Sequence, residues 1–442
     1  MIPKPSDSDI ESYVARYYDK NAENEWSRLE RHPTEYAVTL RALQAYLPPA
    51  PAHILDCGGG PGRYALELTR QGYSVTLFDL AAGNLALAEQ KAAEAGLALA
   101  ALAQGNALDL TRFADDAFDA VLLMGPLYHL LERNERTQAL CEATRVLKPG
   151  GVLFAAFLAP YAAHRDAAIR YPEEPLLNSA LYEEIERSGR LLPRSPDATA
   201  FSAYFAQPAE VQTLCRAAGL EMLTLLGVEG HVGINETGGV NSLSGPAWEW
   251  WVEANWRVAA DPAIHSAVEH LLAVARKPRW PRVLAALQQQ AAAAGVQLML
   301  TGGAGLAAQG MPVAVRDLDL LTDRAGAYRL SELWNAFAIQ PVQYSENPPY
   351  RSHFGRFLFD GIGVDLMAEL EWRTEDHWQP ITSATSQTVT VAGVEILVPW
   401  AEEEFLAYIR RGRLERAAAI LPHLDPQRLL QLLRGQPVAG MV

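Results

Sequence analysis

Two clusters of glycine and acidic residues in this 442-residue sequence have the residue types and the spacing that a binding or catalytic site requires. The first reads Asp56-Cys-Gly58-Gly-Gly60-Pro-Gly62 and is followed, one predicted strand later, by Asp79. Glycines in a strand-to-helix turn let the backbone approach a ligand closely, and the helix start offers unpaired N–H groups. An acid at the end of the next strand can accept hydrogen bonds from both hydroxyls of a ribose. This cluster therefore predicts a binding site for a ligand that contains a ribose.

A dinucleotide site, with a pyrophosphate on the helix start, is the alternative for this turn. Starting from Gly58, the dinucleotide pattern requires glycine at position 63, where the sequence has Arg63. An acid directly before the glycines, Asp56, is also unsuited to a pyrophosphate but suits a cationic amino-acid group. The residues therefore argue against a dinucleotide.

The second cluster combines Gly302-Gly303 with Asp317-Leu-Asp319 and a later acid, Asp365. Carboxylates at positions i and i+2 of a strand point to the same face, where they can share divalent cations. We predict Asp317, Asp319 and Asp365 as metal ligands and catalytic residues of nucleotidyl transfer, with Gly302 and Gly303 leaving room for the nucleotide phosphates. No basic residue accompanies the three carboxylates in the motif, so we expect a raised pKa on at least one of them.

The elements that must position these residues alternate between short apolar runs and amphipathic stretches, which indicates βαβ units and a parallel sheet. A helical segment is predicted first, at 10–47. The predicted strands are 53–57, 74–79, 97–103, 118–124 and 152–157, and the helices between them are 62–71, 82–95 and 133–147. A helix at 208–218 and strands at 220–228 and 270–276 then add an antiparallel pair at the sheet edge.

The segment Lys277-Pro-Arg-Trp-Pro281 interrupts this pattern, so we place a domain boundary there, between domains 1–278 and 279–442. The second domain is predicted to be a smaller α/β unit with helices at 282–294 and 305–309 and strands at 296–301 and 317–321. Two segments rich in tyrosine and tryptophan, 159–206 and 230–265, fit neither core. We predict that they form a lid over the first site.

Over residues 10–278 the chain resembles the class I S-adenosylmethionine-dependent methyltransferases. Besides the glycine turn and Asp79, the resemblance rests on Gln104-Gly-Asn106-Ala107, on the fourth strand with its loop from Phe118 through Met124 to His129, and on Val146-Leu-Lys-Pro-Gly-Gly151. It implies a Rossmann-like, seven-stranded α/β sheet and S-adenosylmethionine as cofactor. The cofactor-binding residues that it implies are Asp56, Gly58, Gly60, Gly62, Asp79, Asn106, Ala107 and Met124.

The methyl acceptor is predicted to be a small molecule under the lid. His129 could act as a general base there, or it could pack or contact the cofactor. Tyr17, Tyr18 and Trp26 resemble the N-terminal cover of small-molecule methyltransferases, and a plain role in the core is the alternative. An Asn-Pro-Pro-Tyr motif of amino-methylating nucleic-acid enzymes occurs only at Asn347–Tyr350, in the second domain, and we assign it no role in methyl transfer.

Residues 282–420 resemble the nucleotidyltransferase superfamily of the DNA polymerase β type, whose motif reads Gly-Gly and then Asp-x-Asp. The resemblance implies Mg²⁺ and a nucleoside triphosphate at this domain. Ala304 stands where many members have serine, which weakens the expected phosphate contacts. A non-catalytic, nucleotide-sensing domain and a merely solvated acidic strand end are the alternatives.

The net charge of −15 argues against bulk binding of nucleic acid. Acidic residues outnumber basic ones on both sides of residue 278, so we expect a small-molecule substrate. An RNA-modifying enzyme with two activities is the alternative. Three cysteines and no basic-then-apolar start predict a cytoplasmic protein, and no apolar run is long enough to span a membrane.

Overall fold

The computed structural model describes residues 7–192, 202–230, 239–373, 377–381, 383 and 385–435. The chain divides into two compact units, Met1–Pro278 and Arg279–Val442. Each unit has its own sheet and its own hydrophobic core. Within the described ranges, no helix has both the length and the apolar character needed to cross a membrane.

The first unit is built around one large sheet. Its strands are β1 (His53–Cys57), β2 (Ser74–Asp79), β3 (Ala101–Gln104), β4 (Phe118–Leu123), β5 (Leu147–Leu158), β6 (Arg190–Leu191), β7 (Ala203–Tyr204), β8 (Glu221–Gly227) and β9 (His270–Arg276). Seven of them form the order β3-β2-β1-β4-β5-β9-β8, in which β9 runs antiparallel to both of its neighbours and the other pairs are parallel. The predicted seven-stranded α/β sheet, with an antiparallel pair at one edge, is thereby confirmed.

Helices cover both faces of this sheet. They are α1 (Asp7–Arg31), α2 (Pro33–Tyr46), α3 (Arg63–Arg70), α4 (Ala82–Glu94), α5 (Arg133–Val146), α6 (Ala162–Arg170), α7 (Glu174–Leu177), α8 (Ser179–Ser188), α9 (Pro208–Ala217), α10 (Gly245–Val258) and α11 (Pro262–His265). Successive strand residues point to opposite faces, so Leu55 packs in the core under α5 and α9, and Ile54 in the core under α2, α3 and α4. Burial on both faces explains why the strands are continuous apolar runs.

Two predicted strands in this unit begin elsewhere, and the predicted helical segment is divided. The strand expected at 97–103 begins only at Ala101, because Gly96 adopts a left-handed φ of 65° and Leu97 N–H donates to Ala92 O, which closes α4. The strand expected at 152–157 is longer, because its pairing with β4 already begins at Leu147, opposite Phe118. The helical segment at 10–47 is two helices, since α2 begins anew at Pro33.

The described part of the predicted lid forms local structure of its own. The strands β6 and β7 pair, and a small apolar cluster joins Leu158, Ala162, Ile185, Ala203 and Phe205. Residues 193–201 and 231–238 lie outside the described residues. The lid therefore stays a prediction.

The second unit is a smaller α/β unit around an eight-stranded mixed sheet. Its strands are β10 (Met299–Thr301), β11 (Asp317–Leu321), β12 (Ala338–Asn347), β13 (Tyr350–Phe359), β14 (Ile362–Arg373), β15 (Trp378–Pro380), β16 (Gln387–Val391) and β17 (Val394–Val398). Its helices are α12 (Trp280–Ala293), α13 (Gly302–Ala308), α14 (Arg324–Leu333), α15 (Ala401–Arg410), α16 (Leu414–Ile420) and α17 (Pro426–Gly435). The strand order is β12-β13-β14-β11-β10-β17-β16, with β15 added to β14. The helix expected at 305–309 begins earlier, at Gly302, directly after β10.

We expect residues 1–278 to fold on their own, since this unit has its own core. The fragment must keep Lys277, whose Nζ donates to Asp116 Oδ1 (2.8 Å) and to Leu147 O (2.7 Å). Fragment 1–278 should be soluble and melt cooperatively. Fragment 1–276 lacks these charged hydrogen bonds and should be less stable by about 1–3 kcal/mol. Circular dichroism melts compare the two; an insoluble 1–278, or two identical melts, would contradict the expectation.

Candidate functional site

The glycine turn of the first unit lies between β1 and α3, at the carboxyl end of the sheet. Gly58, Gly60 and Gly62 have φ values of 70°, 57° and 85°, a region that residues with side chains rarely adopt. A Cβ on Gly58 would lie 2.4 Å from the Pro126 ring, whereas the same position on Gly60 has no atom within 3.8 Å. The turn therefore needs glycine for its conformation, and at Gly60 it leaves open space.

Asp79, at the end of β2, holds this turn in place. Its Oδ2 accepts from Gly60 N–H (2.8 Å), and its Oδ1 accepts from Ala81 N–H (2.9 Å) and Asn84 Nδ2 (3.1 Å). The carboxyl is buried, and burial raises its pKa despite these hydrogen bonds. A carboxylate offers about four acceptor positions. Protein donors already fill three of these positions, so Asp79 has a structural role in addition to any contact with a ligand.

Asp56, at the end of β1, is the second acid of the turn. It is 1% exposed, and no described residue makes a hydrogen bond to its Oδ2. Burial, with the charge of Asp79 adding to it, raises the pKa of Asp56 from 3.8 to about 7. A buried acceptor without a partner is costly. The site is therefore suited to a ligand that brings a positive charge or a donor to Asp56.

Seven of the eight predicted cofactor-binding residues line one cavity of about 360 Å³; they are Asp56, Gly58, Gly60, Asp79, Asn106, Ala107 and Met124. Gly62 is the exception. A Cβ there would lie 3.3 Å from Leu77 and 3.4 Å from Ala88, so this glycine faces the core. The side-chain oxygen of Asn106 accepts from Leu108 N–H (2.9 Å) and so helps to shape its own loop.

Helix α1 forms the opposite wall of this cavity. Tyr18, Glu25 and Arg28 line it, whereas the expected cover residue Trp26 instead contacts Arg63 and Lys91. Among residues 159–192, 202–206 and 239–265, the described part of the predicted lid, none lines the cavity. The wall that covers the glycine turn in the described structure is therefore the N-terminal helix.

His129 connects this wall to the rest of the unit. Its Nδ1 lies 2.8 Å from Ser202 O, which can only accept, so the proton is on Nδ1 and Nε2 accepts from the Tyr18 hydroxyl at 2.8 Å. Burial lowers the pKa of His129 to about 4, which keeps the ring neutral at physiological pH. His129 thus presents a neutral imidazole to the cavity that it lines.

A buried network of charges lies beside the cavity. Arg28 donates to both carboxylate oxygens of Glu35 (2.8 and 2.9 Å), and His270 Nδ1 lies 2.5 Å from Glu229 and 3.9 Å from Glu35. Although burial opposes its charge, Glu35 and Glu229 raise the pKa of His270 to about 9. In the described chain, Glu35, Glu229 and His270 are the one trio of potential metal ligands within 4.8 Å of one another. Arg28 also pairs with Glu25 (3.0 Å), so three acids hold the two bases of this network in ion pairs. Its members are scattered along the sequence and form no motif.

The second site is formed by neighbouring strands of the second unit. Asp319 on β11 lies directly beside Asp365 on β14, and Asp317 lies beside Gly363. Burial, followed by the charges of Asp317 and Asp365, raises the pKa of Asp319 to about 7. The three predicted ligands thus lie on adjacent strands, but their oxygens do not all lie within 4.8 Å of one another.

The raised pKa of Asp319 agrees with the expectation for at least one of the three carboxyls. Asp365 has a basic partner outside the motif, because Arg356 on β13 donates to both of its oxygens at 2.7 Å. In the glycine pair, Gly302 already has close neighbours within the protein. Gly302 N–H donates to Glu404 Oε1 (2.8 Å), and a Cβ on Gly302 would lie 2.3 Å from Asp319 Oδ2. The space next to Gly302 is therefore taken by carboxylates of the protein.

A cavity of about 380 Å³ opens beside these residues. Asp319 and Gly302 line it, whereas Gly303, Asp317 and Asp365 do not. Other lining residues come from the β12–β13 turn, from the first turn of α15 and from the residues that follow α15; they include Asn347, Tyr350, Glu404, Arg411 and Arg413. The Asn-Pro-Pro-Tyr motif thus lies at this second cavity, a location that only the strand topology reveals.

Comparisons with known proteins identify the two units. A family described as "Methyltransferase domain" matches residues 55–155, and one described as "Aminoglycoside-2''-adenylyltransferase" matches residues 282–418. Among solved structures, a Thermotoga maritima protein assigned as a nucleotidyltransferase is 31% identical; the match covers 36% of this chain and 96% of that protein, with a TM-score of 0.30.

Curated relatives match the first unit. Ubiquinone biosynthesis O-methyltransferase of Xanthomonas axonopodis pv. citri is 30% identical over 191 residues, which is 43% of this chain and 72% of the relative. Ubiquinone/menaquinone biosynthesis C-methyltransferase of Bartonella tribocorum is 37% identical over 145 residues, 31% of this chain and 52% of the relative. The chain therefore belongs to the S-adenosylmethionine-dependent methyltransferases, the family of these relatives. In its sequence, a nucleotidyltransferase domain follows the methyltransferase domain.

Proposed function

We propose that the first unit transfers a methyl group from S-adenosylmethionine to a small-molecule acceptor. The observation that carries this proposal is the single cavity that joins the glycine turn, Asp56 and Asp79 to the Tyr18–His129 pair. Its volume of about 360 Å³ is in the range of small-molecule sites. The names of the relatives support a small acceptor and include both O- and C-methylation, so the accepting atom is left open.

The lining residues divide the work of binding between them. Asp79 would accept from a ribose hydroxyl at the position that its three protein donors leave open, Asp56 would pair with the amino-acid ammonium group, and Asn106, Ala107 and Met124 would surround the adenine. S-adenosylmethionine supplies, when bound, a methyl group that is already activated on a cationic sulfonium. The protein then needs chiefly to align the acceptor and to exclude water. Tyr18, held over the cavity by His129, contributes to that enclosure.

For the second unit we propose binding of a nucleoside triphosphate with a divalent cation, held by Asp317 and Asp319. Their carboxylates are the hard oxygen ligands that Mg²⁺ prefers. Asp365 stands beside them, paired with Arg356. That pairing, and the bond from Gly302 to Glu404, favour a second candidate, a domain that binds nucleotide without turnover. Release of pyrophosphate from ATP in the presence of Mg²⁺ would distinguish transfer from binding.

Replacing Asp79 by asparagine should weaken the binding of S-adenosylmethionine by roughly 1.5–3 kcal/mol, because a neutral amide loses the charged hydrogen bond to the ribose. Titration calorimetry measures the change. Asn84→Ala is the matched control, since it removes one donor to Asp79 and keeps the carboxylate; it should lose much less affinity. Unchanged affinity in a folded Asp79→Asn protein would refute the assignment.

Binding of the cofactor should also depend on pH through Asp56, whose pKa is about 7. The carboxyl must ionise to pair with an ammonium group, so we expect affinity to increase as the pH rises from about 5 to about 7. Calorimetry across this range tests the slope, and Asp56→Asn should flatten it. In the protein without cofactor, the effect of pH on folding stability has the opposite sign to its effect on cofactor affinity. The folded protein keeps a proton that the unfolded chain releases, so the stability that Asp56 contributes is present below about pH 4 and is lost as the pH rises through about 7. A pH-independent affinity in the wild type would contradict this role.

Divalent cations should stabilise the second unit. Above about pH 7, where Asp319 is ionised, Asp317 and Asp319 repel each other, and a bound cation relieves that repulsion. Mg²⁺ or Mn²⁺, and further Mg²⁺ with ATP, should therefore raise the melting temperature. The double variant Asp317→Asn/Asp319→Asn should lose this response and still bind S-adenosylmethionine. Asp360→Asn, an exposed acid at the β13–β14 turn, is the control and should respond like the wild type. If Mg²⁺ and ATP do not change the melting temperature of the wild type, the nucleotide proposal is refuted.

A further inference from the structure

In the second unit, the backbone position expected to meet phosphate is already occupied. Gly302 N–H donates to Glu404, a buried residue of α15, and the carboxylate of Asp319 fills the space beside Gly302. A phosphate at this N–H would have to displace one acceptor and lie against a second. An anionic ligand of this cavity therefore needs other donors.

Such donors lie at the other end of α15. Arg411 follows the last residue of the helix, and Arg413 follows Gly412; both line the same cavity as Asp319. In the part of the chain that the structure describes, neither arginine forms an ion pair. The Arg411 guanidinium lies 5.4 Å from the centre of the ring of Tyr350, another residue that lines the cavity. Two arginines thus line the cavity with their charges uncompensated by a direct carboxylate contact.

The cavity is consequently lined by charges of both signs. Asp319 provides a carboxylate that suits a cation, and Arg411 and Arg413 provide guanidinium groups that suit an anion. A ligand that satisfies both charges carries a divalent cation and several negative oxygens. Guanidinium groups bind phosphate oxygens through paired, charge-assisted hydrogen bonds. A polyphosphate with its metal ion has this combination.

We propose that Arg411 and Arg413 form the phosphate subsite of the second unit and hold the phosphates of a nucleoside triphosphate in place of the glycine turn. This assignment rests on the nucleotide binding proposed above. It also accounts for the alanine at position 304, because a subsite on α15 does not require a serine hydroxyl after Gly302-Gly303.

The test uses the full-length protein with Mg²⁺ and two probes, ATP and inorganic tripolyphosphate, in calorimetric titrations. Each substitution Arg411→Ala and Arg413→Ala should weaken ATP binding about tenfold to a hundredfold, the loss expected for hydrogen bonds to a charged group. Arg411→Lys keeps the positive charge but loses the paired donors of the guanidinium group, so it should cause an intermediate loss of ATP affinity. Arg324→Ala, an exposed arginine at the start of α14 that does not line the cavity, should bind like the wild type. Tripolyphosphate should compete with ATP in the wild type and lose affinity in the same variants.

The outcomes separate the two proposals. If the wild type binds ATP and both alanine variants bind it equally well, the phosphate subsite is wrong while nucleotide binding stands. If the wild type binds neither probe, the nucleotide function fails and the subsite with it. Melts without ligand detect a purely structural role of Arg411 at the helix end. Arg413 is exposed, so its variant tests the subsite even where Arg411→Ala unfolds.

Discussion

The carboxylate of Asp79 ties the end of β2 to the turn that leaves β1, and the geometry of the first site depends on that connection. Its bonds to Gly60 and Ala81 join two loops that parallel strands bring side by side at one edge of the sheet. Glycine makes the turn possible, but the buried acceptor selects one of the many conformations that glycine allows. With the turn fixed in this way, the space beside Gly60 stays open, and Asp56 stays buried without a partner for its Oδ2. A loop that must bind a ligand is in this way held rigid before the ligand arrives.

Much of the first unit could be predicted because its signals are local. Apolar runs of strand length separated by amphipathic stretches indicate a parallel sheet, and the glycine turn and Asp79 then fall together at its carboxyl edge. For α1, only the resemblance at Tyr17, Tyr18 and Trp26 suggested a cover over the site. The bond from Tyr18 to His129 joins residues far apart in the chain, and no spacing in the sequence indicates that these two residues pair. Gly62 shows the converse problem. It belongs to the motif by spacing and yet faces Leu77 and Ala88, because a turn has an inner and an outer side that spacing does not distinguish.

The second unit shows where reasoning from motifs ends. The acids of β11 and β14 are neighbours as expected, since parallel strands in register bring Asp319 beside Asp365. The chemistry of these acids depends on the residues with which they pair across the sheet. Arg356 reaches Asp365 only through the pairing of β13 with β14, a register that is interrupted by an irregularity. Glu404 reaches Gly302 from a helix about a hundred residues further along the chain. Long-range pairings of this kind decide whether an acid is a free ligand, and no window of sequence contains them.

The buried network of Arg28, Glu35, Glu229 and His270 has a consequence for the order in which the protein matures during synthesis. Arg28 and Glu35 belong to the two N-terminal helices, whereas His270 opens the last strand of the same unit. Arg28 and Glu35 can pair with each other as soon as their two helices meet, whereas Glu229 has no partner until His270 has been synthesised. A buried charge without its partner is strongly unfavourable, so the network can become complete only after the residues of β9 have left the ribosome. A nascent chain interrupted before His270 would carry the glycine turn, Asp79 and the Arg28–Glu35 pair, and would still lack the last member of this network.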